Sequence, residues 1–106
     1  ELLLLDEPLA AVDAQTRADM QDLLLDLSER FNQTCVLVTH DVEEAVYMAD
    51  RVLVLGPRPT RVVHEVTIDL AKPRDQLATR EDPAFLSARH EVMALIRSMR
   101  QGKAVA

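Results

Sequence analysis

Short continuous apolar runs alternate with longer amphipathic segments along the 106 residues of this chain. Continuous apolar runs of about four to eight residues are typical of strands that are buried on both faces of a parallel sheet. Apolar residues that recur every three or four positions, with acids between them, are typical of helices. The predicted strands are residues 2–5, 34–39, 51–55 and 61–68, and the predicted helices are residues 14–31, 42–49 and 83–100.

The order of these elements predicts the fold class. Strand, helix, strand, helix and strand follow one another over residues 2–55, which favours crossover connections and a mainly parallel sheet in an α/β fold. After Gly56 a short proline-containing turn predicts that the fourth strand returns antiparallel to the third. Residues 69–81 are polar and predicted to be irregular. We expect one small domain, with a core over residues 1–56 and a C-terminal strand, linker and helix over residues 57–106.

Candidate capping residues stand before each predicted helix. Asp13 can accept hydrogen bonds from the free backbone N–H groups in the first turn of the first helix. Asp41 and Glu44 have the spacing of a capping box before the second helix, and Asp82 with Pro83 favours the start of the last helix. The apolar stripe of the first helix, opposite its acids, consists of Met20, Leu23, Leu24, Leu27 and Phe31.

Composition narrows the possible function classes. Hydrophobic residues make up 48% and aromatic residues 3% of the chain, so we expect an aliphatic core. The net charge of −6 argues against a nucleic-acid surface, which needs clustered basic residues. The single cysteine, Cys35, excludes an internal disulfide, and the apolar run around it predicts a small buried side chain. No apolar run approaches the length of a membrane span.

Four acceptor-rich residues follow the first two predicted strands. Asp6 and Glu7 come directly after the first strand, and His40 comes directly after the second. Asp13 ends the loop that begins at Asp6. The carboxyl ends of neighbouring parallel strands lie about 5 Å apart, at the edge where open α/β sheets bind ligands. One carboxylate can hold Mg²⁺ and another can orient a water for attack on a phosphate, so the group predicts a phosphoryl-transfer site.

Each of these residues also has a purely structural interpretation. The two acids can form a solvated junction between a strand and a loop. Asp13 can act only as a helix cap, and His40 can be an ordinary surface histidine. An unrelated α/β domain with a coincidental pair of acids is therefore a further alternative at this point.

Three segments, taken together in their order and spacing, resemble the second half of an ABC-transporter ATPase domain. Residues 2–8 (LLLLDEP) resemble its Walker B motif, residues 9–14 (LAAVDA) its D-loop, and residues 37–41 (LVTHD) its switch-histidine loop. The tail, over residues 56–65 and 69–75, looks like the ATPases of nitrate, sulfonate and taurine importers. The resemblance implies a partial P-loop NTPase core of the RecA-like kind, with a C-terminal hairpin strand and helix.

The resemblance also implies roles and partners. Asp6 would hold Mg²⁺, Glu7 would polarise the attacking water, and His40 would contact the γ-phosphate of ATP. Asp13 would lie near the nucleotide and reach across a head-to-tail dimer of two ATPase subunits, which drives a transmembrane permease. Such subunits work in the cytoplasm, on the inner face of the cell membrane, and nucleic acid is not an expected partner.

Parts of the family pattern are absent from this sequence. Gly56 and Gly102 are its only glycines, so it has no Gly-x-x-x-x-Gly-Lys-Ser/Thr loop to hold phosphates. In the family the P-loop, the signature motif and the Q-loop precede Walker B, so we expect a truncated domain that does not hydrolyse ATP alone. The missing P-loop strand would lie between strands 34–39 and 51–55. We expect this gap to be closed by pairing of the two strands, or filled by another chain in a homo-oligomer that forms through exposed sheet edges.

The leading hypothesis is a C-terminal fragment of the ATP-hydrolysing subunit of an ABC importer, for nitrate, sulfonate or taurine-like solutes. Two further function classes stay open. One is a non-catalytic module that retains this half-fold for assembly or regulation. The other is a related ATPase of DNA repair or chromosome maintenance, although the acidic charge and the transporter-like tail argue against it.

Overall fold

The computed structural model describes residues 2–9, 11–56 and 61–100 of the chain. Its strands are β1 (Leu2–Asp6), β2 (Thr34–Val38), β3 (Arg51–Leu55) and β4 (Val62–Thr67). Its helices are α1 (Ala14–Arg30), α2 (Val42–Met48), α3 (Ala78–Glu81) and α4 (Pro83–Arg100). Every predicted strand and helix is confirmed, and the short helix α3 lies in a region predicted to be irregular. The predicted turn after Gly56 lies outside the described residues. No described helix is both long and apolar enough to cross a membrane.

Both predicted aspartate caps are present. Asp13 Oδ1 accepts from the Thr16 backbone N–H at 2.8 Å, and Asp41 Oδ1 accepts from the Glu44 backbone N–H at 3.2 Å. The capping box at Asp41 is only half formed, because the Asp41 N–H donates to Thr39 Oγ1 at 3.0 Å. The side chain of Glu44 therefore does not accept from the Asp41 N–H, and it accepts a hydrogen bond from Gln21 instead.

The strands form two separate pairs. β1 and β2 are parallel, whereas β3 and β4 form the predicted antiparallel hairpin. The fold is α/β, with one small parallel and one small antiparallel sheet. In the part of the chain that the structure describes, β2 and β3 share no ladder, so the gap between them is not closed by pairing. β3 pairs with β4 through one edge only, which is consistent with the low chain-entropy cost of a short connection.

The hydrophobic core lies mainly in residues 42–99, where α2 and α4 pack against the β3–β4 hairpin. Tyr47 and Phe85 are its largest members and are 0% and 1% exposed. Its other buried members are aliphatic: Val46, Val52, Val54, Val66, Ile68, Leu70 and Val92. The expectation of a purely aliphatic core is wrong to this extent, because large rings fill volume that aliphatic side chains would leave open.

The first half of the chain is less buried than its sequence predicts. In β2 the side chains of Cys35, Val36 and Val38 are exposed, so the predicted burial of this strand and of its cysteine is wrong. In β1, Leu4 is 65% exposed. A parallel sheet is buried only where helices cover both of its faces. Here the apolar stripe of α1 is itself exposed, with Leu23 at 49%, and does not supply that cover.

Polar side chains connect α1 to α2 and to residue 76. Gln21 is 2% exposed, and it donates to Glu44 Oε2 at 3.3 Å and accepts from Gln76 at 3.1 Å. The Tyr47 hydroxyl donates to Asp22 Oδ1 at 2.7 Å, and burial raises the pKa of Tyr47. We call these five residues the polar joint. Their mutual hydrogen bonds meet the requirement that buried polar groups be paired.

Arg74 donates hydrogen bonds to backbone carbonyls at the C-terminal end of α2, and it lines a cavity. Its side chain is 3% exposed, and Nη1 donates to the backbone oxygens of Tyr47 at 2.7 Å and Ala49 at 3.3 Å. These contacts satisfy carbonyls that a helix end leaves free. Burial lowers the pKa of Arg74. The cavity has a volume of about 500 Å³ and lies between the end of α1, the start of β2 and residues 72–74.

Candidate functional site

The register of β1 and β2 brings the predicted site residues to one edge of a sheet. Leu2 lies opposite Thr34 and Asp6 lies opposite Val38, so both strands end at the same level. The Glu7 backbone N–H donates to the Val38 carbonyl at 2.8 Å and extends the ladder by one residue. The residues that follow the two strands are therefore neighbours in space, as the sequence predicts.

Glu7 and His40 meet directly at this edge. Glu7 Oε1 lies 3.5 Å from His40 Nε2, and the side chains are 31% and 96% exposed. Glu7 Oε1 is itself buried and has no hydrogen-bond partner among the described residues. A buried acceptor without a partner is costly, by about 1–3 kcal/mol. The pair thus combines a buried carboxylate oxygen, without a hydrogen-bond partner among the described residues, with an exposed imidazole.

The backbone at Glu7 has an unusual conformation. Its φ is 50°, in the left-handed region that residues other than glycine rarely adopt. Such a conformation costs on the order of 1–3 kcal/mol, and it persists only where surrounding contacts hold it. Residues of this kind cluster at functional sites. The observation supports a functional interpretation of Glu7 over a solvated junction.

Asp6 and Asp13 are placed differently from this pair. Asp6 is the last residue of β1 and its side chain is exposed. Asp13 is the N-cap of α1, and the hydrogen bond from the Thr16 backbone lowers the pKa of Asp13 below its ordinary value of 3.8. Among the described residues, the hydrogen bonds and ion pairs of Asp13 lead only into α1 and not to Glu7 or His40. Asp13 is therefore confirmed as a helix cap, and its role near the nucleotide stays a prediction.

A complete protein metal centre is not formed within residues 2–9, 11–56 and 61–100, where no three His, Cys, Asp or Glu side chains are grouped for one. Mg²⁺ does not require such a centre. It is commonly bound by one or two carboxylates, with waters and phosphate oxygens as the other ligands. Two successive acids, one with a buried unpaired oxygen, are compatible with a cation held in this way.

Arg17 is a site-forming residue that our sequence reasoning missed. It lies in the first turn of α1 and contacts both loops that carry the site residues. One signal was available in the sequence. The N-terminal end of a helix carries partial positive charge and disfavours basic residues, so an arginine there indicates another acceptor nearby.

The chain is similar to curated proteins, although no protein-family model matches it. It is 52% identical over 92 residues to "Aliphatic sulfonates import ATP-binding protein SsuB 2" of Pseudomonas syringae pv. tomato, which covers 87% of this chain and 38% of that protein. It is 51% identical over 89 residues to the protein of the same name from Burkholderia cenocepacia, with 84% and 32% covered. It is 45% identical over 98 residues to "Aliphatic sulfonates import ATP-binding protein SsuB 1" of Xanthomonas axonopodis pv. citri, with 92% and 38% covered. The matches thus span less than two fifths of these relatives.

Proposed function

Because this chain belongs to the family of ABC-transporter ATP-binding subunits, in its sulfonate-importer group, we propose that it acts in ATP hydrolysis as one segment of such a subunit. The observation that carries this proposal is the meeting of Glu7 and His40 at 3.5 Å, beyond the carboxyl ends of two parallel strands. That edge is where α/β sheets bind nucleotides and other ligands.

The site residues have separate roles in this proposal. Glu7, whose side chain is 31% exposed, accepts a hydrogen bond from the attacking water. His40, with its exposed imidazole, contacts the γ-phosphate of ATP. Asp6 provides oxygen ligands to Mg²⁺, which when bound neutralises phosphate charge. Asp13 reaches toward the nucleotide of a second subunit through Oδ2, since Oδ1 is engaged as a helix cap.

We further propose that the fold is a partial RecA-like core, over residues 1–56, with a C-terminal extension over residues 57–106. The strand that carries a P-loop would lie between β2 and β3. Among the described residues the facing edges of these two strands are unpaired, which supports this arrangement, as does the cavity beside the start of β2. The P-loop that binds the phosphates of ATP would then be supplied by sequence outside the 106 residues of this chain.

The proposed partners are a transmembrane permease and a second ATPase subunit, at the cytoplasmic face of the cell membrane. The proposed solute class is sulfonates. Nitrate and taurine-like solutes are the other candidates. The support is the names of the relatives, which specify import of aliphatic sulfonates and ATP binding.

The proposal predicts that this chain has no ATPase activity by itself and supports ATP hydrolysis when it replaces the matching segment of a relative. The isolated chain should show no ATPase activity above background, because it has no P-loop. A chimera, in which this chain replaces the matching segment of the Pseudomonas syringae pv. tomato protein, should hydrolyse ATP. Phosphate release measured beside the unmodified host tests both statements. A chimera that folds, as judged by circular dichroism, yet does not hydrolyse ATP contradicts the proposal.

The free strand edges also predict self-association of the isolated chain. Val36 on β2 and Leu53 on β3 are 42% and 50% exposed, beside edges that pair with nothing in the described part of the chain. Such edges bind other strands. Light scattering should therefore show a dimer or larger species, and Val36→Lys should shift it toward the monomer. Leu77→Lys, at a residue 75% exposed outside the strands, is the control and should not. A monomeric wild-type chain is the contradicting result.

A further inference from the structure

A single guanidinium connects the two loops that carry Glu7 and His40. We propose that Arg17 is a positioning residue, which holds these two side chains at their working separation. This inference rests on the proposed ATP hydrolysis at the site and adds a residue to it.

The first set of contacts fixes the loop after β1. Arg17 Nε donates to the carbonyl oxygen of Leu9 at 3.2 Å, and Arg17 Nη2 donates to the carbonyl oxygen of Val12 at 3.5 Å. Leu9 is 2% exposed, so the loop is also anchored by a buried side chain. This loop begins at Glu7, whose left-handed backbone needs surrounding contacts to persist. Arg17 provides two of those contacts on the loop that follows it.

The second contact fixes the turn after β2. Arg17 Nη1 lies 3.4 Å from Asp41 Oδ2, and the side chains are 31% and 42% exposed. The other oxygen of Asp41 caps α2 through the Glu44 N–H, so Arg17 contacts the start of that helix. His40 directly precedes Asp41 in the chain. The position of the imidazole is thereby linked to the same side chain that holds the loop of Glu7.

The chemistry of the side chain suits this role. A guanidinium presents several N–H donors in a rigid planar fork, whereas lysine has one rotatable ammonium on a flexible stem. Three acceptors on two different loops require such a fork. Misplacement of reacting groups by about 1 Å can cost on the order of 100-fold in rate, so a residue that never touches the nucleotide can still control turnover.

The test uses the chimeric subunit described above, with Arg17→Met, Arg17→Lys and the control Arg30→Met. Arg30 lies on the same helix and pairs with Asp26 at 2.9 Å on the surface. Arg17→Met should lower kcat by about 10- to 100-fold. Its KM for ATP should stay within about twofold, because no contact to the nucleotide is removed. Arg17→Lys should recover part of the loss, and Arg30→Met should behave like the parent chimera.

A double-mutant cycle identifies the route of the effect. Asp41→Asn keeps the Oδ1 acceptor that caps α2 but removes the charge that Arg17 contacts. If Arg17 acts through Asp41, the double variant should be no more than about twofold slower than Arg17→Met alone. Strictly multiplicative losses would show that Arg17 does not act through that turn, and they would overturn the positioning role. If Arg17→Met does not fold, Arg17→Lys and Asp41→Asn alone should still lower kcat without raising KM.

The two proposals fail in different ways. Full turnover in a Glu7→Gln chimera overturns the proposed function, and this inference falls with it. An inactive Glu7→Gln chimera beside an Arg17→Met chimera with normal kcat overturns this inference alone. Equal losses of kcat in the Arg17→Met and Arg30→Met chimeras also overturn the positioning role of Arg17, since they would reflect a general effect of charge removal on α1.

Discussion

Glu7→Gln in the chimeric subunit should reduce ATP turnover by about 10²–10⁴-fold, which is the usual contribution of a general base. Glutamine has nearly the same shape as glutamate and keeps an oxygen at the same position. It cannot take a proton from water, because an amide oxygen is hardly basic. Phosphate release under saturating ATP measures the effect on turnover.

Nucleotide binding distinguishes a lost base from a damaged site. The Glu7→Gln chimera should bind ATP with Mg²⁺ as tightly as the parent chimera, in equilibrium binding with a fluorescent ATP analogue. Glu29→Gln removes a carboxylate from an exposed position on α1 and is the matched control, with turnover expected to stay normal. Normal turnover in Glu7→Gln would refute the assignment of Glu7 as the base.

Phe85→Ala should lower the free energy of unfolding by about 3–5 kcal/mol, as is typical for removal of a buried phenyl ring. Phe85 is 1% exposed at the first turn of α4, inside the core that α2, α4 and the β3–β4 hairpin share. Domains of this size have a stability of about 5–15 kcal/mol, so the variant should be partly unfolded at modest urea concentrations. Urea titrations followed by circular dichroism measure the difference.

The adjacent residue offers a matched control for this prediction. Leu86 lies on the same helix and is 43% exposed, so Leu86→Ala should change the free energy of unfolding by less than about 1 kcal/mol. Both substitutions replace a large apolar side chain by the same residue in the same helix. Similar losses in the two variants would mean that the core does not lie where the structure places it.

The elements and the meeting of Glu7 and His40 could be predicted from short sequence patterns. The apolar runs of β1 and β2 end at polar residues, and parallel pairing alone brings Glu7 beside His40. The aspartate caps are likewise encoded within one helical turn. The caps need only a local pattern, and the meeting of Glu7 and His40 needs in addition the general rule that strands joined by a crossover helix pair in parallel.

Burial and the role of Arg17 could not be predicted, because they depend on distant packing. Periodicity shows that one face of α1 is apolar, but it does not show what covers that face. In the structure Leu23 is 49% exposed, whereas the polar Gln21 is 2% exposed. The contacts of Arg17 depend on the path of a loop in which the acceptors precede it by five and eight residues. Predicting them requires the tertiary structure.

The polar joint lies between α1 and the part of the molecule that holds most of the hydrophobic core. The two are connected largely by hydrogen bonds, each worth about 0.5–1.5 kcal/mol net, with Leu25 of α1 as an apolar addition. Rearranging such a connection exposes little hydrocarbon to water. A shift of α1 against this core would therefore cost less free energy than a shift across an apolar interface of the same size.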